Sequence, residues 1–185
     1  MINFIQTNAT PIVGFLTLAS NIIFVALLVV IIFHSETRRK AYNFIHKYIL
    51  ELLFWGVMSA VVGSLAYSEI VGFPPCDLCW IQRVMIYPQA IILFMAMRRK
   101  DKTIIDYLVP LSIIGAIVAL YQSFIQWGIS VGPVLECTSA GGECAKVYVK
   151  EYSYITIPFM AFSVFIYIIV LKYIYYSHDK KIKNG

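Results

Sequence analysis

Residues 11–33 read PIVGFLTLASNIIFVALLVVIIF, 23 positions without a charge. A helix of about 20 apolar residues crosses a hydrocarbon core of roughly 30 Å. The stretch therefore reads as a membrane span. Working outward from it, four more spans follow. They are Leu52 to Ser68, beginning nearer Tyr48, and Leu78 to Met97, whose only charge is Arg83. The fourth runs from about Ile104 to Trp127 and leaves through a looser GISVGP segment, residues 128–133. The fifth is Tyr152 to Leu171, running on to Tyr176. Lipid offers no partner to an open strand edge, so the spans are helices. Composition agrees: of 185 residues, 60% are hydrophobic and 14% charged, against roughly 45–50% and 25% in soluble domains. A soluble enzyme, a disordered chain and a protein reading duplex nucleic acid from solution are excluded. The expected fold is an all-α membrane protein, a four-helix transmembrane bundle core plus one additional N-terminal transmembrane helix.

The charges orient these spans. Arg38, Arg39, Lys40 and Lys47 lie between spans one and two. Arg98, Arg99, Lys100 and Lys102 lie between three and four, and Lys172, Lys180, Lys181 and Lys183 follow span five. That places 12 of the 15 basic residues on one side. Positive charge marks the cytoplasmic side, so the N-terminus is expected outside and the C-terminus in the cytoplasm. The net charge of +5 is accounted for by topology, and no nucleic-acid partner is expected. Span one has no basic segment before it and no small-x-small cleavage site, so it reads as a retained anchor rather than a signal peptide.

All four cysteines, Cys76, Cys79, Cys137 and Cys144, then fall in the two outer loops, on a face that permits disulfides. Pro74-Pro75-Cys76 reads as a helix start, since proline is tolerated at the beginning of a helix. Cys76 and Cys79, three apart, share one face of the first turn. The free N–H groups there favour a thiolate. Arg83 follows one turn deeper, and a guanidinium just inside the apolar boundary is costly enough to imply a task. It either stabilises a Cys79 thiolate or holds an oxygen of an apolar electron acceptor lodged between helices. The second pair has six residues between its sulfurs, with Gly141-Gly142 giving freedom to turn. A flexible, exposed disulfide suits exchange with another protein.

Other readings of the cysteines compete with this one. Zinc is disfavoured: the x6 half is unusual, and His34, His46 and His178 all fall on the cytoplasmic side. Two inert structural disulfides in a membrane scaffold remain a second reading, although a Cys-x-x-Cys ring constrains little chain, and no structural role for Arg83 is evident from sequence. A c-type haem needs histidine where Trp80 stands. Along span two, Gly56, Ser59, Ala60 and Gly63 form a small-residue face expected to pack closely on a neighbour. Thr17, Ser20 and Asn21 in span one, and Gln122 and Gln126 in span four, are expected to hydrogen-bond between helices. The glutamines are also weak candidates for lining an acceptor pocket.

The stretch CDLCWIQR, residues 76–83, with Tyr87-Pro88 after it, resembles the DsbB/BdbC family of membrane disulfide-forming oxidoreductases. Residues 136–149 and Ile155 to Pro158 resemble its short-loop, BdbC-like members. The resemblance covers 48–176 and divides the chain into an N-terminal helix with a cytoplasmic linker (1–47), a DsbB-like four-helix core (48–176) and a tail (177–185) that is polar and expected to fray. It implies a quinone-linked thiol oxidase in the bacterial cytoplasmic (inner) membrane. It also implies a secreted thioredoxin-fold partner, DsbA-like or BdbD-like, acting in trans. Cys137 would take the partner in a mixed disulfide, with Cys144 as its mate, and electrons would pass to Cys76–Cys79. Cys79 would react with the quinone, ubiquinone or menaquinone, and Arg83, Trp80 and Gln82 would stand beside it. The additional first helix departs from the family pattern and is shared with five-helix VKOR-type enzymes, which leaves a relay running as a reductase as a further reading.

Overall fold

The structure, a computed structural model, describes residues 2–129, 132, 134, 136–138 and 142–183; at 2–9, 35, 36, 136 and 178–183 it describes the backbone only. Among the described residues, five helices are long and apolar enough to cross a membrane. Helix α1 is Ile2–Phe33 and α2 is Ser35–Leu65, continued by a π-helical turn at Ala66–Ile70. Helix α3 is Asp77–Arg99, α4 is Ile105–Gln126 and α5 is Ile157–Lys183. The chain is an all-helical, multi-pass membrane protein.

Helices α2 to α5 close a ring: α2 packs on α3 and α5, and α4 packs on α3 and α5. Leu53 and Val57 from α2, Leu93 from α3, Leu108 and Ala119 from α4, and Phe165 and Ile168 from α5 fill its centre. Lipid is as apolar as these side chains, so close packing rather than escape from water holds them together. The tightest point is Gly115 on α4, where an added Cβ would stand 2.3 Å from the buried Phe165 ring. Gly56 and Gly63 behave differently from expectation, because a Cβ at either would meet nothing within 4 Å. Of that small-residue face, Ala60 packs against the core, but neither glycine is at a close helix contact. Two polar pairs cross from α3 to α4 inside the ring. Gln82 Nε2 donates to Gln122 Oε1 at 2.7 Å, and Ser112 Oγ donates to Gln89 Oε1 at 3.2 Å.

Helix α1 stands outside the ring. Tyr167 of α5 donates to Asn21 Oδ1, lies 3.2 Å from Ser20 Oγ and packs its ring 4.3 Å from Phe24. Ser20 and Asn21 thus bond between helices as expected, whereas Thr17 turns back on its own helix at Val13 O. Gly14 lets α1 come against Glu151, where a Cβ would fall 2.7 Å from that side chain. The opposite face, with Ile12, Phe15, Ile22 and Ile23, is bare of protein.

Several boundaries differ from the sequence expectation. Helix α2 begins at Ser35, and Tyr48, the expected start of the span, is instead its kink, with φ −112° and ψ 19°. Helix α5 starts at Ile157 rather than Tyr152. Tyr152 and Ser153 take φ of 50° and 69° in a tight turn, closed by Glu151 and Ile155 exchanging both backbone hydrogen bonds at 2.9 Å. The polar tail continues α5 as helix to Lys183 instead of fraying. Within the exit segment, Ser130, Val131 and Pro133 lie outside the described residues.

Replacing Gly115 by alanine should destabilise the bundle by about 1–3 kcal/mol, the usual range for overpacking, whereas Gly56→Ala should stay within about 0.5 kcal/mol. Unfolding midpoints of the two variants in the same detergent check this, and equal effects would contradict the packing described.

Candidate redox site at one end of the bundle

The site begins where α3 begins. Pro74 and Pro75 end the preceding segment, and Cys76 takes the N-cap position with extended backbone (φ −77°, ψ 172°). The first helical hydrogen bond, Trp80 N–H to Cys76 O at 3.0 Å, then turns Cys79 back over Cys76. Their sulfurs lie 3.1 Å apart as a thiol pair. The Cys76 thiol is pushed above its ordinary range, first by its contact with the Cys79 sulfur and then by burial.

Cys137 and Cys144 are disulfide-bonded. Each sits in a short 3-10 turn, Glu136–Thr138 and Glu143–Ala145. The end of α4 holds this loop. Tyr121 donates to Gly132 O at 2.9 Å and accepts the Val134 N–H at 3.0 Å, with Thr138 Oγ1 at 3.3 Å. Gln126 Nε2 donates to Lys146 O at 3.2 Å, and Trp127 Nε1 to Tyr154 O at 2.8 Å. The expectation of a flexible disulfide on an exposed loop is therefore corrected at one sulfur: Cys144 is 0% exposed, while Cys137 is half-buried. Gly141, half of the expected glycine hinge, lies outside the described residues.

The fold brings both pairs together. Cys76, Leu78 and Cys144 form one buried cluster, with Cys79, Ile81, Val118, Tyr121 and Cys137 packed around it. Gln122, 1% exposed, spans the junction. Its Nε2 lies 3.1 Å from Cys76 Sγ, 3.5 Å from Cys79 Sγ and 3.5 Å from Cys144 O. From sequence, Gln122 is expected to hydrogen-bond between helices, as it does with Gln82, and is a weak candidate for lining an acceptor pocket; its place between the pairs is tertiary information.

Arg83 lies one turn deeper, and the structure supplies the structural role that sequence did not. Its Nε donates to Ser64 Oγ at 2.9 Å and its Nη2 to Ser64 O at 3.0 Å. The π-helical turn starts two residues beyond Ser64, and such turns shift the backbone ladder from four residues to five. The Arg83 guanidinium also stacks on the Trp80 ring at 5.2 Å, while Trp80 is itself 53% exposed. Of the residues placed beside an acceptor by resemblance, Trp80 and Arg83 share one outward face, and Gln82 turns inward to Gln122. Among the described residues, no cluster of His, Cys, Asp and Glu fits a metal ion.

Paired cysteines, one pair bonded and one free, at one end of a four-helix membrane ring are the layout of a membrane thiol–disulfide protein. Residues 46–174 match the family described as "Disulfide bond formation protein DsbB", and the chain belongs to the DsbB family. It is 37% identical over 139 residues to a "Probable disulfide formation protein C 2" of Bacillus cereus, covering 75% of this chain and 99% of that one. The Bacillus anthracis protein of the same description is 38% identical over 140 residues, covering 76% and 97%. A "Probable disulfide formation protein" of Coxiella burnetii is 32% identical over 144 residues, covering 77% and 98%. No solved structure matches the chain. Disulfide formation proteins of this family are oxidoreductases.

Burial makes the loop sulfurs unequal. After mild reduction, a hydrophilic maleimide should modify Cys137 about tenfold faster than Cys144, because attack on an outside molecule requires access. Timed alkylation read by mass spectrometry checks this, and equal rates would mean the loop leaves the cluster once reduced.

Proposed function

We propose that this protein is a thiol oxidase that draws two electrons from a secreted thioredoxin-fold protein, DsbA-like or BdbD-like, and delivers them to a membrane quinone. The cysteine end faces outward and the basic end faces the cytoplasm, as the distribution of Lys and Arg favours. The observation that carries the reading is the junction itself. Cys76 and Cys144 share one buried cluster, with Arg83 one turn below and the half-exposed Cys137 as the way in.

The sulfur chemistry follows from that order. A partner thiolate attacks Cys137, the Cys137–Cys144 bond breaks, and Cys144 leaves as a thiolate. Cys144 attacks Cys76 in an oxidised Cys76–Cys79 pair, and Cys79 leaves with the electron pair. The partner's second thiolate displaces Cys137, which releases the partner as a disulfide. Cys137 then attacks Cys144, closing their bond and freeing Cys76. The result is the sulfur arrangement of the structure, a loop disulfide above a dithiol. Each attack is in-line exchange at a disulfide sulfur.

The residues around Arg83 fit a quinone. Open space lies beside Gly63, next to Ser64, where a Cβ would meet nothing within 4 Å. The exposed Trp80 ring offers a flat apolar wall, and Arg83 directs donors toward an oxygen. When bound there, a quinone supplies the acceptor for two electrons and two protons. The chain's contribution is to hold the Cys79 sulfur at that wall, to fix Arg83 through Ser64 and to keep Cys76 out of water. Glu69 and Asp77 are the acidic side chains nearest in sequence for proton supply.

The test follows quinone loss by absorbance with purified full-length protein, a reduced DsbA-like protein and a soluble quinone analogue. Cys79→Ser and Cys137→Ser should each abolish turnover with that partner. Arg83→Ala should raise the quinone KM about tenfold or more, the scale of a lost charge-assisted hydrogen bond, while the protein stays folded. Absence of quinone loss with well-folded wild type, across several partners and both quinone classes, would sink the reading in favour of two structural disulfides.

A further inference from the structure

We infer that Gln122 is a positioning residue of the relay, an amide that holds the Cys76 sulfur and the Cys144 backbone in one frame and biases shared electrons toward the Cys76/Cys79 pair. The inference rests on the relay reading above and deepens it.

Three observations carry it. Gln122 is buried, so its amide must find partners within the protein. The partners it finds come from two separate segments: both sulfurs and Gln82 at α3, and the Cys144 carbonyl of the loop. Gln82 also fixes which way the amide points. Its Nε2 donates at 2.7 Å to Gln122 Oε1, so the Gln122 Nε2 is the end nearer the sulfurs, while Oε1 stands 3.8 Å from Cys79 Sγ. An N–H donor favours a sulfur carrying negative charge over one tied in a disulfide, because bonds to charged acceptors are the stronger ones. The donor is aimed at Cys76 and Cys79 and at no sulfur of the loop pair, where it meets a carbonyl. It therefore stabilises the reduced form of one pair selectively.

In balanced form, the Cys137/Cys144 dithiol and the Cys76–Cys79 disulfide exchange to the Cys137–Cys144 disulfide and the reduced Cys76/Cys79 pair. One S–S bond forms and one breaks. Two electrons move from the loop to α3; two protons leave the loop thiols, Cys76 takes up one and solvent the other, so Cys79 is left as the thiolate that the Gln122 donor meets. No outside oxidant enters.

The experiment needs neither partner nor quinone. Oxidised full-length protein in detergent, freed of quinone, receives two electron equivalents of dithiothreitol at neutral pH. After equilibration it is acid-quenched and alkylated, and mass spectrometry gives the share of chains reduced at each pair. Gln122→Met removes the donor at similar volume, and Gln122→Glu removes the donor while keeping an acceptor for Gln82. Both should shift the distribution about tenfold toward a reduced loop pair. Gln82→Leu should shift it less, and should add nothing on the Gln122→Met background, because Gln82 acts through Gln122. Unfolding midpoints separate this effect from lost stability, which would not redistribute electrons within folded chains. Variants with the wild-type distribution would overturn the role of Gln122 and leave the relay standing. A wild type in which the pairs never share electrons would sink the relay and this inference together.

Discussion

The buried amide of Gln122 is the contact on which the arrangement of the cysteine end depends. It is a polar group in an apolar bundle, and leaving its donors or acceptor unmet would cost on the order of 1–3 kcal/mol. The chain meets that demand from α3 and from the loop before α5 at once. A leucine there would pack comparably but would lose the contact between the thiol pair and Cys144 O, leaving Tyr121, Gln126 and Trp127 to hold the loop. The desolvation penalty is thus converted into a geometric constraint, and the constraint lies where two pairs of sulfurs must meet.

The rest of the end is built on the same logic. Tyr121, Gln126 and Trp127 reach from the end of α4 to backbone groups of the following loop. These carbonyls belong to a segment with no regular ladder of its own, so side chains supply what a ladder would. Arg83 is fixed by Ser64, beside a π-helical turn. A charge at this depth is tolerated when its donors are partly satisfied by protein. That satisfaction is partial, since a guanidinium has five N–H donors, and the side of α2 at Gly63 stays open. Arg83 is thus held by Ser64 and Trp80 with donors left over beyond those contacts.

Much of this was legible from residue order. Uncharged runs located the spans because hydrocarbon thickness imposes a length. Cys-x-x-Cys after two prolines located the α3 start because cap geometry is local. The misses share a cause. Residues 152–156 carry no charge, so the uncharged run extended α5 through them, yet the Thr156-Ile157-Pro158 run was a start signal of the kind placed at helix N-termini. The small-residue face of α2 followed a genuine pattern, but whether another helix lies against Gly56 is decided by the whole bundle, which chose Gly115 and Phe165 instead. The loop disulfide looked exposed because its flanking residues are polar and glycine-rich. Its burial comes from Tyr121, 16 residues before Cys137 in the chain.

The position of α1 bears on how the ring works. It attaches through the polar cluster at Tyr167, through Gly14 against Glu151, through Ile31 and Leu28 in the main core and through Val13 against Tyr67, Val71 and Val149, and it leaves the face with Ile12, Phe15, Ile22 and Ile23 to lipid. Polar contacts within membranes are individually modest, averaging near 0.6 kcal/mol. Helix α1 supplies Ile31 and Leu28 to the core, and the other buried residues of that cluster come from α2–α5. Glu151, however, opens the turn that leads into α5, and it belongs to the same connection as Cys144. Contact at Gly14 thus fixes the far side of the segment whose near side Gln122 holds. Held at Cys144 by Gln122 and at Glu151 by the contact with Gly14, residues 142–151 stay against the bundle, and Cys137 is the more accessible sulfur of the loop pair.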